Sequence, residues 1–150
     1  MIRLVETLNF RCLRYIRQPL ENFHVLVGPN ASGKTTFLDV ISFLGQVVSD
    51  GVEKAIGERT QNFSDLLWSG QGDYIELAVE AAIPEKKIDL LKRRFDTIRY
   101  EIRIGHNRET RQVGILEERA LMKKTKNEEP IQPTFFPREH ALPNTILSGK

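Results

Sequence analysis

The segment Gly28-Pro29-Asn30-Ala31-Ser32-Gly33-Lys34-Thr35 constrains this chain more than any other. It fits G-x-x-x-x-G-K-[ST], a loop that cradles phosphate groups with backbone N–H donors. Its setting fits as well. The β-branched, apolar run Phe23-His24-Val25-Leu26-Val27 precedes it and predicts a strand buried on both faces. After Gly33, the spacing of Phe37, Leu38, Ile41, Leu44, Val47 and Val48 predicts an amphipathic helix over 34–48. Strand, glycine loop and helix together are the P-loop unit.

Each position has a physical reason. Gly28 and Gly33 allow backbone turns that a β-carbon obstructs. The amides of residues 31–35, with the helix N-terminus, attract a β-phosphate. Lys34 brings a point charge to the β- and γ-oxygens. The Thr35 hydroxyl is placed to hold Mg²⁺, and Thr36 stands next in line for the α-phosphate.

Length and composition limit the rest. The chain has 150 residues, 40% hydrophobic and 28% charged, with a mean hydropathy of −0.34. That is one domain with a sizeable core, neither disordered nor membrane-spanning. Cys12 is the single cysteine, so an internal disulfide and a cysteine zinc site are excluded. Cys12 itself reads as a small buried residue on a strand. With no secretory leader evident, these features predict a cytoplasmic protein.

The net charge of +2 hides an asymmetry. Residues 1–84 hold 7 basic and 10 acidic side chains, for −3. Residues 85–126 hold 13 and 7, for +6, and 127–150 hold 2 and 3, for −1. The middle block, with Lys92-Arg93-Arg94, Arg99, Arg103 and Lys123-Lys124, has the sign to meet DNA. Its interleaved acids and missing aromatic ladder favour a solvated surface of mixed charge.

Alternation predicts strands over 2–10, 14–17, 74–81 and 97–104, with a return strand near 113–116. Short helical pieces are expected over 52–68 and a helix over 84–95. Residues 125–150 carry four of the seven prolines and read as a separate tail beyond a lobe spanning 1–124.

Two strands before the P-loop, and the wording of the loop itself, bring out a resemblance. The stretch LNFRCLRYIRQPLENFHVLVGPNASGKTTFLDVISFLG resembles the N-terminal lobe of ABC-type ATPase heads. It is most similar to the branch of RecF, the structural-maintenance-of-chromosomes proteins and OLD-like ATPases. That branch opens on a strand bearing N-F-[RK], here Asn9-Phe10-Arg11, and continues to a G-P-N-x-[SA]-G-K-[ST] loop. The resemblance implies an α/β P-loop NTPase lobe, with a parallel core strand beside an antiparallel β-subdomain, and incomplete. It implies ATP and Mg²⁺ as ligands, held by Gly28, Pro29, Asn30, Ala31, Ser32, Gly33, Lys34, Thr35 and Thr36. Lys34 would act in catalysis and Thr35 on the metal. Asn30 would sit on the γ-phosphate side. Arg11 would lie close to the nucleotide; otherwise it is a solvent-facing strand residue. In the whole protein the implied partner is a second head, clamped by ATP, in DNA maintenance or phage defence.

Parts of that machinery have no counterpart. No strand of four apolar residues ends in Asp-Glu. Val113-Gly114-Ile115-Leu116-Glu117-Glu118 comes nearest, but Gly114 interrupts it. Leu147-Ser148-Gly149 only echoes a signature segment, and neither Gln71, Gln112 nor Gln132 is anchored as a Q-loop. Hydrolysis by this chain alone is therefore not expected. Two alternatives stay open: a small P-loop kinase with Lys92-Arg93-Arg94 as lid, and a non-hydrolysing nucleotide sensor or DNA-binding module.

Overall fold

A computed structural model describes residues 1–88 and 95–124. Its strands are β1 (Ile2–Phe10), β2 (Leu13–Pro19), β3 (Tyr74–Ala82), β4 (Thr97–His106) and β5 (Val113–Lys123). Between β2 and β3 run helices α1 (Lys34–Asp50) and α2 (Val52–Gly57) and two 3-10 turns, Phe63–Leu66 and Trp68–Gly70. A one-turn helix, α3 (Glu85–Ile88), follows β3. The strands make one five-stranded sheet in the order β2-β1-β3-β4-β5. Every pairing in it is antiparallel.

One face of the sheet meets α1. Val5, Phe10, Leu13, Ile75, Leu77, Ile102 and Ile104 pack there with Phe37, Val40, Phe43, Leu44 and Val47. The Phe10 and Phe43 rings lie 5.7 Å apart. The helix is thus turned from its expected seating. Leu38 and Val48, expected in the core, are 55% and 68% exposed, while Val40 and Phe43 are buried. An apolar helix with two stripes satisfies either seating locally, and the sheet selects the 37-40-44-47 stripe.

The other face is held by ions. Arg99 is buried against Glu6 at 2.6 Å, Glu80 at 3.1 Å and Glu101 at 2.5 Å. Lys123 reaches Glu80 at 2.7 Å, and the Tyr15 hydroxyl donates to Glu6 at 2.7 Å. Arg103 joins Glu76 at 2.5 Å and Glu117 at 2.9 Å. Buried charges need such partners, since an unpaired one costs several kcal/mol of desolvation. This corrects the solvated-surface reading for Arg99 and Lys123, which are buried, and Arg103 is tied to the acids of the sheet. Lys92, Arg93 and Arg94 lie outside the described residues, as do Gln132, the tail over 125–150 and its Leu147-Ser148-Gly149.

The expected parallel core strand does not form. Residues 23–27 form no strand and pair with none, and Phe23 and Val27 are 82% and 88% exposed. A strand with apolar side chains on both faces needs neighbours on both edges and layers above and below. Among the described residues nothing supplies them. The β4–β5 hairpin does form, and it is longer than its sequence pattern. No described helix is long and apolar enough to cross a membrane.

Candidate functional site

The β1–β2 turn and the N-terminus of α1 build one site. Asn9 and Arg11 both take the left-handed backbone, at φ 62 and φ 52. Asn tolerates that region best among residues with a side chain, because its amide bonds locally. Here the amide nitrogen donates to the carbonyls of Gln71 at 3.1 Å and Tyr74 at 2.8 Å. Its oxygen accepts from the Trp68 amide at 3.2 Å. Gly72, at φ 97, leaves the room, since a β-carbon there would stand 2.8 Å from the Asn9 amide nitrogen. The Arg11 amide donates to Leu66 at 2.8 Å. Asn9-Phe10-Arg11 is therefore a locked corner, with Phe10 in the core and Arg11 facing out.

The P-loop rests against that corner. Gly33 caps α1 at φ 90, and a β-carbon on it would meet Leu13 Cδ2 at 3.1 Å. Ala31 is also left-handed, at φ 63. The Cys12 thiol donates to Thr36 Oγ1 at 3.2 Å. This corrects one expectation. Cys12 is exposed in the turn, not buried on a strand, because the turn lifts it out of β2 and onto the loop. Thr36 has a partner within the protein.

Gly28, Pro29, Asn30, Ala31 and Thr35 are exposed, Ser32, Lys34 and Thr36 half-buried, and Gly33 buried. Lys34 Nζ folds back on the loop, donating to the carbonyls of Gly28 at 2.8 Å and Pro29 at 2.6 Å and to Ser32 Oγ at 3.3 Å. No side chain caps α1, and its first turn holds no acid. A helix start with open N–H groups and no negative charge suits an anion. A cation held only by neutral oxygens is likewise ready to exchange them for phosphate. The residues present fit a nucleotide phosphate.

Beside the loop, Arg11 and Thr35 line an open groove of about 630 Å³ with Asp39, Ser42, Gln46 and Arg59. Arg11 meets the Asp39 carboxylate at 3.4 Å. Arg59 clasps the same carboxylate at 2.7, 3.0 and 3.2 Å. Asp39 and Arg59 were not singled out from sequence. One signal was available for Asp39: it lies four residues after Thr35, on the same helix face. Arg59 had none, because its contact spans 20 residues.

The nearest candidate for a catalytic acid does not serve. Glu117 sits on β5 and is engaged by Arg103 and Arg119. Four strand spacings, about 19 Å, separate β5 from β2 across the sheet. Among the described residues no group of three or more His, Cys, Asp or Glu converges to hold a metal.

Comparison with known proteins bears on the same region. An OLD nuclease of Thermus scotoductus is 46% identical over 48 residues. That stretch is 31% of this chain and only 9% of the relative, so the chain matches a small part of a much longer protein. A family model described as "AAA domain, putative AbiEii toxin, Type IV TA system" matches residues 23–143, from the apolar run before the P-loop onward. The loop, the helix that follows it and the match over most of the chain agree, and the chain belongs to this AAA-domain family, an ATPase-type P-loop domain.

Proposed function

We propose that this chain is the ATP-binding lobe, placed at residues 1–124, of an ABC-type ATPase of the RecF, structural-maintenance-of-chromosomes and OLD-like branch. The observation that carries the reading is Lys34 held only by neutral loop oxygens at an uncapped helix start. Phosphate binds there in the turn of Gly28, Pro29, Asn30, Ala31, Ser32 and Gly33, through the backbone amides of residues 31–35 and through Lys34. Magnesium, when bound, adds positive charge to the phosphates, and Thr35 is the residue to hold it. Arg11 adds charge from the groove side. Thr36 steadies the loop through Cys12.

Turnover requires more than this lobe. The unpaired run 23–27 and the exposed Leu38 and Val48 support a lobe completed by further strands and by a second head. ATP then works by closing the two heads, with DNA maintenance or phage defence as the setting.

The test is equilibrium binding of Mg-ATP to this chain and to Lys34→Ala, with phosphate release followed in the same sample. Saturable binding, lost at least tenfold in Lys34→Ala, with no turnover, is expected. Equal binding by both forms would sink the P-loop assignment. Turnover by the chain alone would favour a small complete enzyme.

A further inference from the structure

The groove beside Thr35 holds two guanidiniums and two carboxylates: Glu58, which accepts from Gln46, and Asp39, which both guanidiniums reach. Asp39 is shared unequally. Arg59 takes both of its oxygens at 2.7–3.2 Å. Arg59 is also fixed by Gln46 at 2.5 Å, by the Ala55 carbonyl at 3.0 Å and by the Phe43 ring at 4.9 Å. It is locked. Arg11 has a single long contact to Asp39 at 3.4 Å, and its guanidinium lies 5.9 Å from the Phe10 ring. Its backbone is anchored by the Leu66 carbonyl. The stem is fixed and the head is loose.

A fork-shaped guanidinium on both carboxylate oxygens takes the lone pairs that face it and offsets the charge. A second arginine then gains little from it. Without the first, the second would close on the carboxylate and be neutralised.

We propose that Arg59 is a positioning residue for the phosphate site: by occupying Asp39 it keeps that carboxylate from capturing Arg11. Arg11 therefore remains available, on the wall it shares with Thr35, to an anion at the P-loop. The inference rests on the P-loop reading above. It adds that the affinity of the loop is set in part on α1 and just past the end of α2, by residues that never touch the ligand.

The probe is Mg-ATP, bound to this full chain. Arg59→Gln is expected to weaken binding about fivefold. Asp39→Asn is expected to tighten it about twofold, and the double variant to bind at least as well as the parent. In an Arg11→Gln background, neither substitution is expected to shift Kd. A merely structural role for Arg59 predicts the same loss with or without Arg11, and that result would overturn the proposal. So would an Arg59→Gln form that folds and binds like the parent. If Arg59→Gln does not fold, the Asp39→Asn pair decides: tightening with Arg11 present and none without it supports the proposal, and any other pattern refutes it. Loss of the P-loop reading shows differently, as parent binding that is absent or indifferent to Lys34→Ala, and the inference then falls with it.

Discussion

Asn9 uses its whole side chain to hold the corner on which the P-loop rests. Two carbonyls and one amide, all from residues 68–74, are satisfied by it. Asn9→Ala loses three hydrogen bonds and a residue suited to φ 62, and about 2 kcal/mol of stability is expected to go with them. A denaturant midpoint unchanged from the parent, at unchanged m, would contradict this role. The motif Asn-Phe-Arg stood out in the sequence, but its reason did not. The partners of Asn9 are about sixty residues away, and no local pattern encodes that distance. Glu76 is another residue whose environment only the fold supplies. Burial pushes its carboxyl up, partly offset by the Arg103 hydrogen bond and charge, while Glu101 and Glu117 add to the rise. Its Oε2 has no partner. A raised carboxyl holds its proton longer in the folded state. Its contribution is then present in full below the ordinary value of 4.5 and is lost as pH climbs through the higher folded value. The stability of the parent relative to Glu76→Gln should fall over that window. A difference that stays flat with pH would count against the buried, half-satisfied carboxylate.

Among the elements, α1 shows best what periodicity can and cannot tell. A helix starting at Lys34 was legible from the spacing of its apolar residues, and it runs two residues past the expected end at 48. Its seating was not legible. Phe37, Leu44 and Val47 belong to the buried stripe as expected, whereas Leu38 and Val48 belong to a second stripe that the sheet does not use. Truncations separate the two. Phe43→Ala should cost about 3–4 kcal/mol, because it empties a fully buried site against Phe10. Val48→Ala should stay within about 0.5 kcal/mol. Comparable losses at both positions in urea unfolding would mean that the second stripe is also packed. The strands were legible for a related reason. Alternation over 2–10, 74–81 and 97–104 marked them, though not that both faces are buried, one by carbon and one by charge. Arg99 read as surface because a lone arginine in a strand has no signature of its three acidic partners.

At the scale of the molecule, the antiparallel sheet and the P-loop helix form one packed unit, and the run Phe23–Val27 lies outside the sheet. Local sequence marked that run as a buried strand, and the mark concerns side chains only. Whether such a strand pairs depends on neighbours that its own residues do not contain. The loop of the candidate site was legible from its spacing and Arg11 from its motif, whereas the convergence of Arg11 with Asp39 and Arg59, from separate elements, was not. On the proposed reading this loop seats a nucleotide phosphate. Amide hydrogen exchange, followed residue by residue with and without Mg-ATP, tests it most directly. Slowed exchange is expected at Ala31 and at residues 33–36, where the loop and the α1 start leave N–H groups open, and no such slowing in Lys34→Ala. Binding that leaves those amides unchanged, or protects only the sheet, would contradict it.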